Sequence, residues 1–261
     1  MDGWVRRETL RYAGMGRVPE SEVDPRILEF VDRALGELNR VCRPRFTSKI
    51  FALHAIGAAD SDRPAGAAVS KLPEGEIYRL NFGGVLDVTS RALTVNLKDC
   101  EEVVLFAATL GAETDRLISQ YSRRDISQGA LMEAAATALI EEYCDRCQQE
   151  LEAQLNQEQK TLRPRFSPGY GDFHIKHQKD MVSLLDLPRQ IGVTLTDGGM
   201  LAPSKSVTAV MGIAHLEEDA VEGETTGASG QSGRPKAQKH RCHVHGCESC
   251  MKTDCIYRRN V

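Results

Sequence analysis

The sequence has no long hydrophobic run. Its longest extends from Val103 to Ala112 and is interrupted by Thr109 and Gly111. A membrane-spanning helix needs about 20 apolar residues, so no membrane partner is expected. The opening residues, MDGWVRRETL, lack the apolar core of a secretory leader, and a cytoplasmic protein is expected. Positive charge is not in excess either: 33 Lys+Arg face 37 Asp+Glu, a formal charge of −4. Phosphate backbones select basic surfaces, so nucleic acid is not an expected partner. What is present is 41% hydrophobic and 27% charged over 261 residues. That is ordinary for a soluble globular protein and enough for one large domain or two small ones. In a reducing compartment its 8 cysteines are expected to be thiols or metal ligands rather than disulfides.

Periodicity divides the chain. Residues 5–14 and 24–41 read as helices; in the second, Ile27, Phe30, Val31, Leu35 and Leu38 share a face, and Asp24-Pro25 supplies a cap and a first-turn proline. Residues 45–54, 76–82 and 90–97 read as strands, rich in β-branched and aromatic residues. Val103 to Ala108 reads as a buried strand, followed by a glycine turn at Gly111 and a helix over 112–120. A longer helix is expected over 127–156, with Leu131, Ala134, Ala135, Ala138 and Leu139 buried. Thr161 to Tyr170, with two prolines and a glycine, is a loop or extended segment. Residues 177–191 look helical up to a break at Pro188, and 193–196 and 206–211 are strand candidates. The pattern is α+β, a mixed or antiparallel sheet with long helices. It divides into an N-terminal part over 1–98, a core over 99–216, a flexible linker over 217–241 and a tail over 242–261.

The tail carries Cys242-x4-Cys247-x2-Cys250-x4-Cys255. So few apolar residues cannot fold by burial, and a metal would supply the missing energy. Four thiolates suit tetrahedral zinc, and equally a [4Fe–4S] cluster. Cys144-x2-Cys147 resembles a redox pair, but it lies deep in the long helix rather than at a helix start, so core packing or a surface accident is the better reading. Asp172-Phe173-His174 contains the D-x-H of corrinoid modules. The glycine that should follow is His177 and no doubly wound pattern surrounds it, so it is rejected as a cobalt-binding loop, and His174 and His177 are expected at the surface or behind the residues that touch a ligand.

Three strings stand at fixed spacing: Arg165-Phe166-Ser167-Pro168-Gly169-Tyr170, then Gly192-Val193-Thr194-Leu195-Thr196-Asp197, then Pro203-Ser204-Lys205-Ser206-Val207. This pattern resembles the S-adenosylmethionine-binding activation (reactivation) domain of cobalamin-dependent methionine synthase, over roughly residues 103–213. Phe166 stands where that family has proline, and Thr137 where it has a helix glutamate, with Glu133 and Glu141 one turn away on either side.

The resemblance implies S-adenosylmethionine as ligand, with Arg165, Ser167, Gly169 and Tyr170 binding it. A guanidinium forks onto a carboxylate, a glycine loop admits close backbone approach, and an aromatic face favours a cation. It also implies reductive methylation of cob(II)alamin on a separately encoded methionine synthase or corrinoid methyltransferase. The electron would come from flavodoxin or ferredoxin, or through an iron–sulfur tail whose linker reaches roughly 25–30 Å. Two alternatives accompany this reading: a non-catalytic adaptor with a structural zinc tail, and an iron–sulfur protein that reduces corrinoid partners.

Overall fold

The computed structural model describes residues 3–56 and 79–215. The expected linker and the cysteine tail lie outside the described residues. So do residues 76–78 of the strand expected over 76–82, of which the structure shows Arg79–Phe82.

One six-stranded antiparallel sheet organises the chain. In chain order its strands are β1 (Arg45–Ile56), β2 (Arg79–Phe82), β3 (Leu86–Thr89), β4 (Cys100–Thr109), β5 (Lys160–Leu162) and β8 (Ser206–His215), arranged β3-β2-β1-β4-β8-β5. A two-stranded ribbon, β6 (Thr194–Leu195) with β7 (Leu201–Ala202), stands apart. Strands from both halves of the sequence therefore share one sheet, β1 lying between β2 and β4.

Strand β4 is central, and its continuous apolar run follows from burial on both faces. Val104, Phe106 and Ala108 join one core; Val103, Leu105 and Ala107 join the other. The first core is closed by α1 (Gly3–Leu10), α2 (Pro25–Val41), α4 (Ala112–Arg124) and α5 (Ile126–Leu155). The second is closed by α3 (Arg91–Asn96), α6 (His177–Leu184) and α7 (Leu187–Gln190). The result is helices, sheet and a thinner mixed layer. The helix starts have local causes. Asp24 accepts from Arg26 N ahead of Pro25, and Asp125 accepts from Ser127 N and Gln128 N at 2.8 and 3.1 Å.

Three expectations are corrected. Residues 91–96 are helix α3, not strand: Ser90 Oγ accepts from Leu93 N at 3.0 Å and starts the turn, outweighing the strand preference of Thr94 and Val95. The segment 177–191 breaks at Asp186, in left-handed backbone with φ 47°, and Pro188 opens α7 rather than ending α6. The segment 161–170 is extended and loop, as expected: Lys160–Leu162 pairs with β8 and Phe166 bridges Val210. His177 is buried, stacked on Phe173 with ring centroids 5.6 Å apart. Cys144 and Cys147 are packed in the first core, the first of the two readings the helix position allowed.

Candidate functional site

Beyond β5 the chain stays beside β8. Arg163 N donates to Gly212 O at 2.8 Å, and Phe166 exchanges two hydrogen bonds with Val210, both at 2.9 Å. This edge pairing alternates the side chains across the sheet. Arg165 turns toward α5, while Phe166 packs against the second core.

The Arg165 guanidinium is spanned by α5. Its Nη2 donates to Asp145 Oδ1 at 2.6 Å and reaches Glu141 Oε2 at 3.5 Å; its Nη1 donates to Gln148 Oε1 at 2.8 Å. Its side chain is 16% exposed. Burial alone would push the guanidinium pKa down, but the hydrogen bond and charge of Asp145 outweigh it and the value is raised.

The turn that follows is held by its own backbone. Tyr170 N donates to Ser167 O, Gly169 N to Phe173 O and Phe173 N to Tyr170 O, at 3.1, 2.7 and 2.9 Å. Gly169 sits at φ 98°, which a side chain resists. Among the described residues, the N–H of Ser167 and the C=O of Gly169 have no partner. The Tyr170 ring is 59% exposed and meets Phe166 edge to face at 6.1 Å. Phe166 stacks in turn on buried Phe173. Ser167, Gly169 and Tyr170 are thus brought together at the surface, while Arg165 is directed inward to α5.

The helix contributes more than the sequence indicated. Glu133, Thr137, Glu141, Asp145, Gln148 and Glu152 fall at three- or four-residue spacing along α5, one polar stripe. It holds three segments of the opposite layer. Lys205 Nζ bonds Glu133 and, at 3.0 Å, Thr137 Oγ1; Arg165 takes the middle; Glu152 accepts from Thr161 Oγ1 at 2.6 Å. Ser204 is held separately, its N and Oγ each donating to Asp115 at 2.7 Å. Asp115, Asp145, Gln148 and Lys205 were absent from the expected site. The available signal was the polar spacing on an otherwise alanine-rich helix.

Asp172, of the rejected D-x-H string, belongs to this region. Its carboxylate accepts from Ser90 Oγ and Arg91 N, both at 2.6 Å, and from Ala92 N at 3.0 Å. The hydrogen bond from Ser90, aided by the backbone donors, lowers its pKa. His174 Nδ1 accepts from Lys176 N at 3.0 Å.

A scan of family models places residues 94–219 in the vitamin B12-dependent methionine synthase activation domain. The match covers just under half of the chain, and that segment is similar to the activation domain. It contains the Arg165–Tyr170 loop and the whole of β4, α4, α5 and β8. Among solved structures, the MetH reactivation domain bound to AdoHcy is similar, at 17% identity over 82% of this chain and 76% of that one, with a TM-score of 0.48. No curated protein matches.

Among the described residues, no group of three or more His, Cys, Asp or Glu side chains is arranged to hold a metal ion. The expected ligands Cys242, Cys247, Cys250 and Cys255 lie outside the described residues. Nor is any helix of the described residues long and apolar enough to cross a membrane. A cavity of about 370 Å³ lined by Arg7, Leu10, Met15, Arg17, Val18 and Glu20 shares no residue with the loop.

Proposed function

We propose that this chain binds S-adenosylmethionine and supports reductive methylation of cob(II)alamin carried by a separate corrinoid protein. The observation that carries the reading is that the family-matched segment holds the whole Arg165–Tyr170 loop, with an exposed ring and unpaired backbone groups at its tip.

The residues present fit the ligand. The Tyr170 face suits a sulfonium, which a ring quadrupole attracts. Ser167 N–H and Gly169 C=O suit the polar edges of an adenosine, and the missing side chain at Gly169 lets them approach. Arg165, committed to Asp145 and Gln148 on the α5 side, anchors the loop that presents these groups. S-adenosylmethionine supplies the methyl group; these residues bind and orient it. Flavodoxin or ferredoxin would supply the electron, and Cys242, Cys247, Cys250 and Cys255 would hold a cluster able to carry it.

The test is a reconstitution with a corrinoid protein held as cob(II)alamin, a reductant and S-adenosylmethionine. Methylcobalamin formation is expected to rise about tenfold or more when this protein is added. An unchanged rate removes the reading.

One observation favours a second reading. Glu133, Glu141 and Asp145 all face cations of the chain itself, and none is left for a ligand's ammonium. A non-catalytic adaptor of a corrinoid protein needs no such group. Capture of the corrinoid protein by a chain that binds no S-adenosylmethionine would select it.

A further inference from the structure

We propose that Asp172, working with Ser90, is the positioning residue of the Arg165–Tyr170 loop, fixing it on residues 90–92, upstream of the family-matched segment. The inference rests on the functional reading above only in giving the loop a ligand to present.

Three features converge on it. First, the contact spans a sequence separation of 82 residues and is threefold: one carboxylate takes Ser90 Oγ, Arg91 N and Ala92 N. Ser90 Oγ serves twice, donating to Asp172 while accepting from Leu93 N. The first N–H groups of α3 would otherwise be unpaired, so the loop and the helix satisfy one another. Second, the approach is close by design. A Cβ on Gly171 would lie 3.0 Å from Ala92 Cβ, and φ there is 54°, so only glycine lets the loop lie against α3 at this depth. Third, movement at Asp172 is passed to the tip. Its neighbour Phe173 gives N–H to Tyr170 O and takes N–H from Gly169.

The loop is therefore pinned at three places. Arg165 is tied to α5, Phe166 to β8 and Asp172 to α3, leaving residues 167–171 as a short span between anchors. Preorganisation of that span is what lets exposed backbone groups and a ring present one geometry to a ligand.

The test uses the full chain and the variants Asp172→Asn, Asp172→Glu and Ser90→Ala, read by amide hydrogen exchange and by calorimetry with S-adenosylmethionine. Asn replaces an acceptor by a donor facing donors. In Asp172→Asn and Ser90→Ala, the amides of Gly169 and Phe173 are expected to exchange about tenfold faster while those of β4 and β8 are unchanged. The dissociation constant should rise about tenfold, and Asp172→Glu, which keeps both acceptor oxygens, should lie nearer wild type. Loop exchange at the wild-type rate in Asp172→Asn overturns the proposal. So does an equal acceleration across β4 and β8, which marks a general scaffold role. If wild type binds no S-adenosylmethionine, the functional reading fails, and the exchange measurement alone decides the positioning role.

Discussion

Arg165 Nη2 lies 2.6 Å from Asp145 Oδ1, and this pair joins the loop to α5, the longest helix among the described residues. The guanidinium is mostly buried, so removing it strands a carboxylate that has lost its strongest partner. Arg165→Ala is expected to lower unfolding free energy by about 2–3 kcal/mol in urea titration. In a double-mutant cycle with Asp145→Ala, a coupling of about 1 kcal/mol or more is expected; strict additivity would show the pair to be incidental.

The Lys205–Glu133 pair predicts an asymmetry. The lysine side chain is 11% exposed and the glutamate 49%. Lys205→Met leaves a carboxylate that water can reach, and should cost within about 1 kcal/mol. Glu133→Gln leaves a buried ammonium with only Thr137 and a neutral amide, and should cost about 2 kcal/mol. Equal costs in matched denaturation curves would contradict the burial argument.

Gly212 predicts a steric effect. A Cβ there would lie 2.5 Å from Cys100 Sγ and 2.9 Å from Leu97 Cδ2. Gly212→Ala should destabilise by about 2 kcal/mol, and adding Cys100→Ala, which removes the nearer atom, should recover part of it. A double variant no more stable than the single one counts against this account.

Legibility in the sequence tracked locality. Helices α2 and α5 were readable because Asp24, Pro25 and a long apolar stripe announce them within a few residues. Strand β4 was readable because both its faces are buried. Helix α3 was not, since part of its N-terminal capping comes from Asp172, and Thr94 and Val95 favour the other state. Strand β3 has only Leu86, Asp87, Val88 and Thr89, too short for a period to declare itself. The site divided the same way. Arg165 to Tyr170 form a contiguous string, whereas Asp145, Gln148 and Lys205 are ordinary surface residue types until the fold brings them to their partners.

Burial also sets an alkaline limit. It pushes the Cys100 thiol up to about 11 and the Cys144 thiol up to about 12 from an ordinary 9.0, and raises Cys42 and Cys147 as well. The folded chain then holds these protons more tightly than the unfolded one. The stabilisation is whole below the ordinary thiol pKa and is lost as pH rises toward the folded values. Unfolding free energy should fall steadily from about pH 9 to pH 11, with a shallower slope in Cys144→Ala. A flat profile over that window would contradict the assignment of neutral, buried thiols.

The most direct test of the central claim is calorimetric titration of the folded chain with S-adenosylmethionine. Saturable binding at one site is predicted, weakened about tenfold by Tyr170→Ala with circular dichroism unchanged. Absence of binding by folded wild-type protein, or equal affinity in Tyr170→Ala, would contradict the assignment of the Arg165–Tyr170 loop as the ligand site.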